Sequence, residues 1–98
     1  MDTSAVNEAV MLEGSLQIQD VDAARERFTR LLDDNVPRAI DLAGLKAVDT
    51  AGIQLLLAVK IEAARRGAPI EYRGRSPLLD QALELLGLRE AIFGGAAA

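Results

Sequence analysis

The sequence predicts a small α/β domain: a β-sheet backed by helices, in the order β-β-α-β-α-β-α. Three observations carry this. Short apolar runs bounded by turn residues recur at 9–12, 39–42 and 68–73. Between them, apolar residues fall at helical spacing, first in 21–32 and then in 50–66. The resulting β-α-β-α-β stretch favours a sheet covered by helices through right-handed crossovers. With 98 residues, half of them apolar, the chain makes one domain near the small end of what folds alone.

The elements run in order along the chain. Residues 1–8 read as a loose N-terminal arm, 9–93 as the domain and 94–98 as a loose tail. Residues 9–12 read as a first strand, and Gly14-Ser15 as a turn or bulge. Leu16 and Ile18 alternate with Gln17 and Gln19, which suits a half-exposed strand. Asp20 or Asp22 caps a helix carrying Val21, Ala24, Phe28, Leu31 and Leu32 on one side. Asp33-Asp34-Asn35 ends it, and Pro37 bars continuation. Residues 39–42 are a buried strand holding one carboxylate, Asp41, and 43–48 connect that strand to the next helix.

That long apolar helix starts at Thr50 and runs to about Arg66. Gly67 ends it after two arginines that suit a helix C-terminus. Residues 68–73 alternate as a strand, with Pro69 tolerable at its start. Ser76-Pro77 is an N-cap with proline at N1. Leu78, Leu79, Ala82, Leu83, Leu85 and Leu86 make a short amphipathic helix stopped by Gly87. Leu88, Ile92 and Phe93 add a last packed turn.

Composition narrows the function classes. Aromatics are 3% of the chain, so the core is built from Leu, Ile, Val and Ala. With a net charge of −4 as well, neither base stacking nor a broad phosphate-binding surface is expected, and nucleic acid is not an expected partner. The chain has no cysteine and no histidine. That removes thiol chemistry, disulfides, zinc sites built on either ligand and the commonest neutral-pH general base. No stretch reaches ~18 continuous apolar residues, so no membrane insertion is expected. The acidic start, Met1-Asp2-Thr3-Ser4, does not read as a secretory leader. The expectation is a cytoplasmic, non-enzymatic domain with no cofactor and no metal.

The chain is organised around Asp49-Thr50-Ala51-Gly52, between the strand at 39–42 and the long helix. Asp49 is a good N-cap, since its carboxylate can accept from the orphan N–H groups of the next turn. Thr50 then lies in the first turn, where the helix dipole favours added negative charge. Gly52 costs roughly 1 kcal/mol against alanine in a helix, which implies close approach of another backbone or of a partner.

This stretch resembles the signature of the STAS domain family, the bacterial anti-sigma factor antagonists and related modules. There a short apolar strand, a loop and Asp-(Ser/Thr)-(Ser/Thr/Ala/Gly)-Gly open an apolar helix. The resemblance covers about 10–88 and implies a STAS-type mixed sheet backed by helices. It also implies a switch that docks on a kinase-like anti-sigma factor and is turned off by phosphorylation. The hydroxyl usually modified in that family precedes the glycine, and here that position is Ala51. Thr50 is then the phosphorylation candidate, with Asp49 beside it repelling a phosphate. Two other readings of Thr50 stay open: a simple helix-start residue, or an unmodified contact. The chain is also similar to the small STAS subunit of a phospholipid-trafficking ABC transporter, a branch in which the threonine contacts the ATPase without modification. Related stand-alone STAS proteins accompany chemotaxis-type signalling.

On this reading the partner interface comprises Lys46, Ala47, Asp49, Thr50, Ala51, Gly52, Ile53, Leu57 and Ile61. Gly52, Leu56, Val59 and Ala63 share one face of the helix, enough to pack on a sheet. Ile53, Leu57 and Ile61 widen the apolar arc beyond it. Either a neighbouring helix covers that stripe or a partner does. A homodimer through the apolar helix is a further open expectation. Nothing in the sequence supports an acid/base role for Asp41, Asp49 or Glu71, and Asp41 reads as a hydrogen-bonded structural carboxylate. The turn at 73–76 reads as a solvated basic loop.

Overall fold

The structure, a computed structural model, describes residues 10–34 and 39–94. Its elements are β1 (Val10–Met11), β2 (Gly14–Leu16), a 3-10 turn (Ile18–Asp20), α1 (Val21–Asp33), β3 (Ala39–Asp41), β4 (Leu45–Val48), α2 (Thr50–Arg65), β5 (Glu71–Arg73), α3 (Pro77–Leu86) and α4 (Arg89–Phe93). The arm at 1–8, Pro37 and the tail beyond Gly94 lie outside the described residues.

Strands β1, β3 and β5 form one parallel sheet with β3 in the middle, and β2 pairs in parallel with β4. The two ladders are one surface with a kink. The Leu12 N–H donates to Asp41 O at 3.0 Å and the Gly14 N–H to Gly44 O at 3.0 Å, so pairing continues across the break. Gly14, at φ +83°, makes the bulge that shifts the register between Gly14 and Ser15. Where the resemblance implied a mixed sheet, each ladder among the described residues is parallel.

The α/β architecture stands as the sequence predicts, with two differences of element. Residues 43–48, expected as a connection, contain strand β4, because Leu45, Ala47 and Val48 find register partners in Gly14, Ser15 and Leu16. The half-exposed strand expected through Ile18 stops at Leu16. Beyond it the chain folds into a 3-10 turn. The Asp20 carboxylate accepts from the Gln17 N–H at 2.9 Å and from the Ser15 hydroxyl at 2.6 Å, closing the turn on itself. Those two bonds, the hydroxyl first, hold the Asp20 carboxyl below the usual carboxylate range. Asp20 is thus the residue before α1, but its side chain serves the turn and makes no cap bond to the helix.

The ends of α2 and α3 agree with the sequence signals. Ser76 accepts from the Leu79 N–H at 3.0 Å with Pro77 at N1, and Gly87 closes α3 in the left-handed region at φ +70°. After α2, the Ala68 N–H donates to Ala63 O at 3.0 Å around Gly67. Arg66 joins that end to α1 by bonding Asp33 at 2.8 Å, and bonds Glu62 of α2 at 3.0 Å.

The core lies between the strands and the helices and is largely aliphatic, with Phe28 and Tyr72 buried in it. Leu16, Ile40, Leu42, Ile53, Leu56, Leu79, Leu83 and Ile92 are its largest fully buried side chains. Tyr72 on β5 is buried, and its hydroxyl donates to the Leu56 carbonyl at 2.7 Å. Lys60 on α2 reaches across to α4. Its ammonium donates to the carbonyls of Ala91, Ile92 and Gly94 at 3.1, 2.7 and 2.8 Å, satisfying the end of that short helix. Partial burial pushes the Lys60 pKa down from its ordinary value. Arg75 stacks over the Phe93 ring, 4.8 Å from its centroid.

Candidate functional site

Strand β4 ends at Val48, and Asp49 turns the chain from extended backbone into α2. The Asp49 carboxylate is fully used. One oxygen accepts from the Gly52 N–H at 3.0 Å, the expected cap, and the other accepts from the Ile18 N–H at 2.9 Å. Asp49 therefore ties the start of α2 to the 3-10 turn after β2. The Asp49 N–H adds a longer contact to Leu16 O at 3.4 Å.

Gly52 is buried against the same strand. A Cβ built there would overlap the Leu16 carbonyl oxygen. The close backbone approach implied by a glycine in the first turn is an approach to β2.

Thr50 is exposed at the first helical position. Among the described residues its hydroxyl makes no hydrogen bond; the side chain that caps the helix is that of Asp49. Ala51 is half-buried and packs on the core. The motif thus divides into an anchored part, Asp49, Ala51 and Gly52, and one side chain directed to solvent.

The remaining interface candidates do not form one patch. Ile53 is 1% exposed and belongs to the core. Leu57 is half-buried on that core, and Ile61 is 60% exposed. Eleven residues of α-helix set Ile61 about 16 Å along α2 from Thr50. The extra apolar stripe is therefore covered within the fold at Ile53, partly covered at Leu57 and open at Ile61. Ala47 is half-buried on β4 opposite Ser15. Lys46 is exposed and lines a separate, wide hollow of about 490 Å³ with Glu13, Gly14 and Gly44.

What the structure does gather at Thr50 is a groove of about 290 Å³. Its walls are Asp49, Thr50 and Ile53 on one side and Ala82, Leu85 and Leu86 of α3 on the other. Leu85 is 86% exposed and Leu86 45%. Ile18, whose N–H bonds the Asp49 carboxylate, is 67% exposed. None of Ile18, Ala82, Leu85 or Leu86 stood out in the sequence as part of this site. The available signal was the run of α3, apolar at 78–79, 82–83 and 85–86, more than one face of a helix needs.

Asp41, by contrast, is a structural carboxylate: it accepts from the Ala43 N–H at 2.8 Å. Arg73 pairs with Glu71 at 3.4 Å. Among the described residues, no group of three His, Cys, Asp or Glu side chains could hold a metal, and no helix is long and apolar enough to cross a membrane.

Among known proteins, a family model described as "Mlab, STAS domain" matches residues 1–94. Among solved structures, the anti-sigma factor antagonist SpoIIAA in its unphosphorylated form is similar with a TM-score of 0.60 at 18% identity, over 87% of this chain and 78% of that one. A sulfate transporter family protein from Wolinella succinogenes is similar with a TM-score of 0.64 at 19% identity, over 98% of this chain and 87% of that one. These likenesses are of fold. No curated protein matches the sequence.

Proposed function

Since the chain belongs to the STAS family described as Mlab, STAS domain, we propose that it is a non-enzymatic docking module whose contact point is Thr50 and the groove beside it. One observation carries this reading: Thr50 is the only motif side chain left without a structural task, while both Asp49 oxygens, Ala51 and Gly52 are committed to the fold. A side chain at a rigid helix start, next to an apolar groove, suits recognition of another protein.

The partner this supports best is the ATPase of a lipid-trafficking ABC transporter, with Thr50 as an unmodified contact. Ala51 lacks the hydroxyl that a phosphoswitch of the usual form needs, and the family description points to the same branch. A second reading is favoured by the free Thr50 hydroxyl and the fold likeness to SpoIIAA: an antagonist-type switch that docks on a kinase-like anti-sigma factor and is released by phosphorylation of Thr50. A phosphate there would gain from the α2 dipole and be repelled by Asp49.

A pull-down from the native host separates the two, comparing the wild type with Thr50→Ala and Thr50→Glu and seeking phosphate on Thr50 by mass spectrometry. An ABC ATPase retained by the wild type, weakened by both variants and without phosphate, supports the fixed contact. A kinase-like protein retained by wild type and Ala, lost with Glu, supports the switch. Retention of the same proteins by all three forms sinks the Thr50-centred reading.

A further inference from the structure

We propose that the 3-10 turn after β2 is a positioning device for Thr50, and that Asp20 and Ser15 are its positioning residues. The inference rests on the docking reading above and adds the groups that hold its contact point in place.

Thr50 does nothing to fix its own position, since its hydroxyl makes no hydrogen bond among the described residues. Its neighbours Asp49 and Gly52 do, and both are held by residues 16–18. A Cβ at Gly52 would overlap the Leu16 carbonyl oxygen, so the first turn of α2 lies directly on the end of β2. The Asp49 carboxylate takes the Ile18 N–H on one oxygen at 2.9 Å and the Gly52 N–H on the other at 3.0 Å. If Ile18 moves, the carboxylate that caps α2 loses one of the two donors that orient it. The first turn of the helix then frays, with Thr50 in it.

Ile18 is placed in turn by Asp20. Residues 16–19 alternate as a strand would, but β4 ends at Val48 opposite Leu16, so that ladder offers Ile18 no partner. Its conformation is settled locally. The Asp20 N–H donates to the Gln17 carbonyl at 2.7 Å, and the Asp20 carboxylate accepts from the Gln17 N–H at 2.9 Å, which bends the chain between them. The same carboxylate accepts from the Ser15 hydroxyl at 2.6 Å, and Ser15 sits in register with Ala47 of β4. The path is continuous: Ser15 on the strand pair, Asp20, the Ile18 N–H, Asp49 and the start of α2. Its bonds to carboxylates are of the stronger, charge-assisted kind, and such supporting bonds keep a recognition group in one geometry.

Hydrogen bonding and charge at Asp20 are separable. Both side-chain bonds fall on one oxygen, Oδ2. Asparagine keeps one carbonyl oxygen and can accept both; alanine can accept neither. The negative charge before α1 is lost with asparagine and alanine alike. Asp22 supplies a control. It lies in the first turn of α1 and accepts from Arg25 at 3.2 Å, not from the turn.

The test is amide hydrogen exchange, read by NMR at Ile18, Gly52 and the core residues Leu56 and Leu83. The forms compared are the wild type, Ser15→Ala, Asp20→Ala, Asp20→Asn and Asp22→Ala. Asp20→Ala should speed Ile18 and Gly52 about tenfold more than Leu56 and Leu83, and Ser15→Ala about threefold more. Asp20→Asn and Asp22→Ala should leave that ratio within about twofold of the wild type. The same variants and Thr50→Ala are then compared in a pull-down from the native host. A protein lost with Thr50→Ala should be held about fivefold less by Asp20→Ala and recovered with Asp20→Asn. Acceleration at Ile18 without Gly52, equal acceleration at all four amides, or an asparagine as damaging as alanine would overturn the inference. A partner lost with Thr50→Ala yet fully held by Asp20→Ala would also overturn it, and would leave the docking reading standing. Retention unchanged by Thr50→Ala would remove the docking reading, and with it the positioning role of the turn, whatever the exchange ratios.

Discussion

Asp49 and Ile18 are 31 residues apart in sequence and joined by a 2.9 Å hydrogen bond from the Ile18 N–H to the Asp49 carboxylate. The second oxygen of that carboxylate caps α2 through the Gly52 N–H. Asp49→Ala removes both bonds and leaves two N–H groups to water. A loss of about 2 kcal/mol is expected, a fall in Tm of about 8–16 °C for a domain of this size. Asp49→Asn keeps one acceptor oxygen and should fall between. Thermal denaturation of the three forms checks the order.

Gly52→Ala would normally stabilise a helix by about 1 kcal/mol. Here the added Cβ overlaps the Leu16 carbonyl oxygen, and that atom belongs to a strand. The variant should instead lose more than about 2 kcal/mol. Urea denaturation showing a gain in stability would mean that β2 and α2 are not held this close.

Tyr72→Phe deletes the hydroxyl that donates to the Leu56 carbonyl, at a cost of about 1–2 kcal/mol. It also changes the response to alkali. Burial raises the Tyr72 pKa above its ordinary value, so above about pH 10 the unfolded chain releases this proton and the folded one keeps it. Wild-type stability should therefore fall as pH rises beyond about 10, and the Tyr72→Phe variant should lack that component. Denaturant midpoints at pH 8, 10 and 11 measure the difference.

Lys60→Met keeps most of the aliphatic packing and removes the ammonium that holds two carbonyls of α4 and that of Gly94 after it. About 2 kcal/mol of stability should be lost. Amide exchange at Ile92 should accelerate more than at Leu56 in the core, because the Ile92 N–H belongs to the short helix that Lys60 anchors. Equal acceleration at both amides would make Lys60 a global packing residue instead.

The sequence made the helices readable because their ends carry local chemistry: Asp49, Ser76-Pro77, Gly67 and Gly87 are caps wherever they fold. It made β4 and the end of β2 unreadable because both depend on distant partners. Residues 45–48 become a strand by meeting 14–16, and Ile18 leaves the strand because Asp20 and Asp49 draw its backbone into a turn. In the candidate site, the cap between Asp49 and Gly52 was legible for the same local reason. The site's second wall was not, since which leucines of α3 face inward is decided by packing against β4 and α4. Periodicity placed Ile53 and Ile61 on one arc, and the fold then buried one and exposed the other.

The kinked parallel ladder has a consequence for synthesis on the ribosome. Strands β1 and β2 find their partners only in β3 and β4, after the crossover helix α1. At ~5–20 residues/s, the roughly 30 residues between them take about 2–6 s to be made. For that interval Val10, Leu12 and Leu16 form an apolar segment with no strand beside it. The groove at Thr50 needs α3 as well and is completed later still. A nascent chain is thus without this groove until Pro77–Leu86 has emerged.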